Sequence, residues 1–146
     1  MHEVEGLIFT DDGSQLLLMK RKKANVYRGL VGNIGDAEED FRKSVSRSMR
    51  EKFNILIEKE AWQQFHLRMD RSPVLAVPIW FTYYFRTFDT ELLYETYEKI
   101  KMSAKYDALL TNKQGLELAS MAMPWLVGMA LDKRITHSYT NFTERV

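Results

Sequence analysis

Apolar and polar positions change their period several times along the chain, and each change marks an element. The segment from Val4 to Thr10 is apolar and β-prone, Asp11-Asp12-Gly13-Ser14 is turn chemistry, and Gln15 to Lys20 is apolar again, which predicts a β-hairpin. The basic Arg21 to Lys23 leads into a loop, RGLVGNIGDAEED, whose Gly29, Gly32 and Gly35 permit tight backbone paths. Its acidic end, with Asp36, Glu38, Glu39 and Asp40, suits a helix N-terminus because carboxylates complement the macrodipole there. Phe41, Val45, Met49 and Phe53 then recur every fourth residue, which gives one apolar stripe, and Asn54 is a left-handed helix stop.

From Trp62 to Asp70 and from Val74 to Phe88 the chain is rich in β-branched and aromatic residues, predicting two strands around the turn-forming Arg71-Ser72-Pro73. Pro78 marks a bulge or an edge within the second. The charged stretch DTELLYETYEKIKMSAKYDALL crosses over and is expected to return as a strand near Lys99 to Ser103. GLELASMAMPWLVGMALDKR reads as a final helix, kinked or restarted at Pro124, with Met121, Met123 and Met129 as core filler. The polar tail ITHSYTNFTERV is expected to be loose or docked on a partner chain. No internal repeat, low-complexity tract or linker divides the sequence, so one domain over residues 1–146 is expected.

Composition narrows the classes. With 146 residues, 45% of them hydrophobic, the chain can bury a sizeable core. A formal charge of +1 gives no whole-protein field for nucleic acid, so despite Arg21 to Lys23 and Lys99, Lys101 and Lys105 a nucleic-acid partner is not expected. Any anion site must be local. The lack of cysteine removes disulfides and thiolate zinc sites and fits a reducing compartment. His2, His66 and His137 are scattered and are assigned no metal role. No apolar run reaches the roughly 18 residues that a membrane span needs, and the charged start MHEVEGLIF is unlike a signal peptide, so a soluble, cytoplasmic protein without a membrane partner is expected.

Hairpin, glycine loop, helix, aromatic strands and C-terminal helix form an α+β order that names no function by itself. The loop and helix say more. GNIGDAEEDFRKSVSRSMREKFNI, from Gly32, resembles the signature of the Nudix hydrolases: G, five residues, E, seven residues, REUXEEXGU, with U a bulky aliphatic. Seven residues separate Glu39 from Arg47, Met49 and Ile55 occupy the two aliphatic positions, and Asn54 stands in place of the glycine. LLLMKRKK, ETYEKIK and MPWLVGMALD resemble the corresponding pieces of small Nudix proteins. The resemblance implies a Nudix-type α/β/α sandwich around a central mixed sheet.

The signature is damaged where its chemistry lies. Counting back from Arg47, the consensus glycine falls on Asn33, so that glycine has been replaced or the loop before Glu39 shortened by two residues. In place of the three helix glutamates stand Ser48, Glu51 and Lys52. The family uses those carboxylates because a hard divalent ion, usually magnesium, takes oxygen ligands while water attacks a diphosphate. Unit charges 4 Å apart interact by roughly 4 kcal/mol at an effective dielectric near 20, so an ammonium in place of a carboxylate reverses a contribution of that order. Magnesium binding is therefore expected to be weak or absent, and an ammonium at the former ion position can meet phosphate oxygens directly.

Three readings stay open. The first is a binder of a nucleoside diphosphate derivative with weak or absent hydrolase activity, in which Lys52, Gly35, Ser48 and Tyr83 contact ligand. The second is a working magnesium-dependent pyrophosphohydrolase with a rearranged site, in which Glu51 and Arg47 are catalytic and Glu39 and Glu51 hold the metal. The third is a non-catalytic interaction scaffold; a homodimer is compatible with all three. Each site residue also has a plainer role. Lys52 suits a solvated surface, Glu51 suits an i, i+4 ion pair with Arg47, and Trp80, Tyr83 and Tyr84 suit the core as well as a nucleobase stack.

Overall fold

The computed structural model describes residues 2–33, 40–71, 80–119, 122–135 and 139–143. The first two strands, β1 (His2–Phe9) and β2 (Leu16–Arg21), form the expected hairpin, with Ile8 opposite Leu17. Its turn is held by Asp12, whose Oδ1 accepts from the Ser14 amide and hydroxyl and from the Thr10 hydroxyl, and Gly13 takes the positive φ of 74° that side chains disfavour. These donors, Ser14 first, hold the Asp12 carboxyl down at about 2.

Further along come β3 (Leu30–Asn33), α1 (Phe41–Phe53), β4 (Gln63–Arg71), β5 (Trp80–Phe88), α2 (Thr90–Lys101), β6 (Tyr106–Thr111), α3 (Met123–Leu131) and β7 (Tyr139–Thr143). The strands build one seven-stranded mixed sheet in the order β6-β2-β1-β5-β4-β7, with β3 also on β1. Both faces are covered. Val4, Ile8, Leu17, Met19 and Leu30 face Val45, Met49 and Phe53 of α1 and Leu93 and Ile100 of α2. Leu7, Phe9, Leu16 and Leu18 face Leu116, Met123, Leu126 and Val127. Two-sided burial explains the unbroken apolar run of β2, where alternate residues serve opposite layers and each fully buried leucine contributes about 1.5 to 3 kcal/mol. The fold is thus the expected α/β/α sandwich around a mixed sheet.

Two expectations change, and the restart at Pro124 is met. The strand forecast near Lys99 to Ser103 lies later, at Tyr106–Thr111, because the helical spacing of Leu93, Thr96 and Ile100 carries α2 through Lys101. The final helix is restarted at Pro124 as expected: a 3-10 segment, Lys113–Leu118, comes first, and α3 begins with Pro124 in its first turn, where a missing amide proton does no harm. Residues 139–143 of the tail are not loose: they pair in parallel with β4 of the same chain, whose edge would otherwise expose its backbone polar groups. The Arg71-Ser72-Pro73 turn beyond its first residue, Pro78 and Met121 lie outside the described residues. Among the described residues no helix is long and apolar enough to cross a membrane.

Candidate functional site

The helix carrying the damaged signature is well built. Asp40 is its N-cap: Oδ1 accepts from the Arg42 amide at 3.0 Å and Oδ2 pairs with the Arg42 guanidinium at 2.8 Å, and that arginine holds the Asp40 carboxyl down at about 2. The stripe of Val45, Met49 and Phe53 is buried, and Asn54 ends the helix at φ 55°, its carbonyl accepting from Lys99 Nζ at 2.9 Å. The left-handed stop forecast for Asn54 is present.

Where the signature side chains go is set by helical geometry. Successive residues turn by about 100°, so Arg47 and Glu51 project about 40° apart, Ser48 and Lys52 likewise, and the two pairs diverge. Arg47 lines an open groove of about 490 Å³ on the outer side of α1, beside Lys43, Arg50 and Ile57. Glu51 is exposed, on a shallow surface shared with Lys99 and Met102. Ser48 instead lies against β3: a Cβ added to Gly32 would come within 2.9 Å of the Ser48 Cβ, so glycine is what lets helix and strand approach. Lys52 follows Ser48 on that side, and its Nζ donates to the Val31 carbonyl at 2.8 Å.

That bond brings Lys52 to the wall of a cavity of about 330 Å³. The cavity exists because β2 and β3 share one edge of β1. Ile8 and Phe9 pair with β2, while Glu3 to Gly6 pair with β3, so the two strands fork beyond the Met19–Arg28 bridge. Arg21, Arg28, Lys20 and Tyr106 complete the polar wall with Glu3, and Val26 adds an apolar patch. Tyr106 is held edge-on by Phe53 at 5.4 Å, and the Arg21 guanidinium lies over its ring at 5.9 Å.

The charges on that wall are treated unequally. Arg28 Nη2 reaches Glu3 at 2.7 Å and the buried Glu5 at 3.1 Å, and Glu5 also accepts from the Gly29 amide at 2.8 Å. Burial opposes the charge on Arg28, but Glu5 and Glu3 outweigh it and raise the guanidinium pKa. Lys20 pairs with Asp107 at 3.1 Å. Among the described residues Arg21 and Lys52 form no ion pair. Burial lowers the Lys52 pKa, the neighbouring Arg21 lowers it further, and Glu3 and Glu51 offset only part of this.

Of the expected ligand contacts, Lys52 is on the cavity and Ser48 stands behind it, whereas Tyr83 is half-buried against Phe41, ring centroids 4.2 Å apart, away from the cavity wall. Tyr84 is 2% exposed and offers a base no face. Gly35 and Glu39 lie outside the described residues, as does the side chain of Trp80. Sequence reasoning missed Arg28, Glu3, Glu5 and Tyr106. One signal was available: Glu3 and Glu5 interrupt an apolar strand at a spacing of two, which puts two carboxylates on one face.

No protein-family model and no curated protein matches the sequence. Solved structures do match in shape. The mutator MutT protein of Bacillus halodurans superposes with a TM-score of 0.70 at 16% identity, over 97% of this chain and 88% of that one. The NUDIX domain of Shewanella oneidensis NrtR, solved with ADP ribose, gives 0.59 at 17% identity, over 92% and 88%. NrtR solved with a 27mer DNA gives 0.56 at 17%, over 88% of this chain; the chain spans 59% of that protein's length. The chain therefore has the Nudix fold. The expectation against nucleic acid rested on net charge, and the fold lends it no support.

The divalent ion that this fold implies does not fit the described donors. The three consensus glutamate positions on the helix hold a hydroxyl, an exposed glutamate and an ammonium already bonded to a carbonyl, and Glu39 lies outside the described residues. Among the described residues no group of three or more histidine, aspartate or glutamate side chains converges on a point where an ion could sit.

Proposed function

We propose that this chain binds a nucleoside diphosphate derivative in the cavity between β2 and β3 and hydrolyses it slowly or not at all. The placement of Lys52 carries the reading. In a fold where a neighbour was solved with ADP ribose, a signature helix here directs an ammonium into a cavity that already carries Arg21, with Tyr106 and Val26 as an apolar and aromatic surface beside them. Charged donors suit phosphate oxygens, and a half-open aromatic wall suits the ring system of a nucleoside. Nothing among the described residues gathers the carboxylates needed to activate water.

Thermal shift against nucleoside triphosphates, nucleoside diphosphates and ADP-ribose, with magnesium and with chelator, tests the binding, since a ligand selective for the folded state raises the midpoint. A rise with at least one of them is expected. Turnover with magnesium is expected to stay far below about 1 per second, the low end of ordinary enzyme rates. Turnover at that rate or above would replace this reading with the rearranged hydrolase using Glu39 and Glu51, and no shift with any nucleotide would favour the scaffold.

A further inference from the structure

We infer that the cavity recognises a pyrophosphate group without a divalent ion, through the paired charges of Lys52 and Arg21. This rests on the proposed binding site and deepens it by naming what takes the place of the metal. The inference starts from a conflict within the wall. Two cations are held close enough for one to oppose the charge of the other, and neither is neutralised by an ion pair among the described residues. Glu3 and Glu5 both go to Arg28 and Asp107 goes to Lys20, while Glu51 offsets the conflict at Lys52 only in part.

Like charges brought together are unfavourable alone, and an anion bearing charge on adjacent groups relieves both. Their geometry suits such an anion. Lys52 is fixed by one proton donated to the Val31 carbonyl, which leaves two ammonium protons for acceptors in the cavity. Arg21 comes from β2, lines the same cavity and is braced over Tyr106. An ammonium and a guanidinium in one cavity can each take one phosphoryl group of a diphosphate, so no ion is needed to neutralise it.

Inorganic pyrophosphate and ADP-ribose, titrated calorimetrically into wild type and Lys52→Met in chelator and again with magnesium, provide the test. Wild type is expected to bind pyrophosphate in chelator, with affinity falling as salt rises. Lys52→Met should weaken that binding at least tenfold while Lys52→Arg retains most of it. A wild-type thermal midpoint for Lys52→Met would show that the loss is not unfolding. The inference is overturned if pyrophosphate binds only with magnesium, or if Lys52→Met binds it as tightly as wild type. The two proposals separate in the ADP-ribose arm. ADP-ribose binding that needs magnesium and ignores Lys52 leaves the nucleotide site standing and removes the metal-free mechanism. Pyrophosphate binding that depends on Lys52, with no nucleotide bound under any condition, does the reverse.

Discussion

Arg28 and Lys52 line the same cavity, but the structure has finished with one cation and not with the other. Arg28 is held by two carboxylates, one of them buried at 1% exposure, and its charge is reinforced. Among the described residues Lys52 donates to one carbonyl and has a like-charged neighbour, and its charge is resisted. Elsewhere Arg86 goes further than Arg28: at 2% exposure it donates to Gln63 Oε1 at 3.0 Å and to the carbonyls of Ala130, Asp132 and Ile135. It thereby caps the C-terminal end of α3 from within the sheet, between the rings of Phe65 and Phe88. Cations held by several acceptors of the fold itself hold the fold together. A cation left short of acceptors in a cavity is available to a ligand.

Removing a cation held by the fold should therefore cause the largest loss. Arg86→Ala leaves the carbonyls of Ala130, Asp132 and Ile135 at the end of α3 without their donor, each costing about 1 to 3 kcal/mol when water cannot replace it. A total loss of roughly 3 to 5 kcal/mol is expected, read as a lower urea midpoint at unchanged slope. A loss under about 1 kcal/mol would show that water reaches these carbonyls and that the cap is not structural.

Arg28 gives a sharper break, because its partner can be changed too. Arg28→Met strands Glu5 in the interior, where breaking a buried pair costs about 3 to 5 kcal/mol; Glu5 keeps the Gly29 amide, so the lower end is expected. Adding Glu5→Gln should recover a good part of it, since the uncompensated charge is then gone. If the double variant is as unstable as the sum of both single ones, Arg28 and Glu5 are not coupled and the distinction between finished and unfinished cations loses its best case.

How much of this could be read from the sequence follows from the separation of the partners. The hairpin, α1 and the Asn54 stop are set by residues a few positions apart, so periodicity and turn chemistry reach them. The strand at Tyr106–Thr111 was misplaced because the apolar spacing of α2 runs on to Ile100, and β7 was missed because only the open edge of β4 makes a polar segment extend. The site divides the same way. Lys52 was legible by counting along one helix. Arg21 meets Tyr106 only through the pairing of β2 with β6, and Arg28 meets Glu5 only after β3 returns to β1. Arg86 reaches carbonyls more than forty positions away, which no local pattern records.

The smallest expected effect is the most telling for the comparison. Replacing Lys52 by methionine should change stability by less than about 0.5 kcal/mol, as at an ordinary surface position, although it lines the same cavity as Arg28. Its pH dependence fixes the sign. Because burial and Arg21 lower the Lys52 pKa below the ordinary 10.5, the folded protein releases this proton earlier than the unfolded chain. Between the lowered value and 10.5 the unfolded state binds more protons, so this lysine makes wild-type stability rise with pH across that window. Below it the ammonium is fully charged and the fold carries the whole penalty; above it both states are neutral and the penalty is gone. Lys52→Met lacks the group, so any advantage it has over wild type should be present at neutral pH and shrink as pH climbs toward 10.5. Paired urea denaturations at neutral and alkaline pH measure that difference. A Lys52→Met variant markedly less stable than wild type at neutral pH would mean that the ammonium holds α1 to β3 through Val31, and that Lys52 belongs with Arg28 and Arg86.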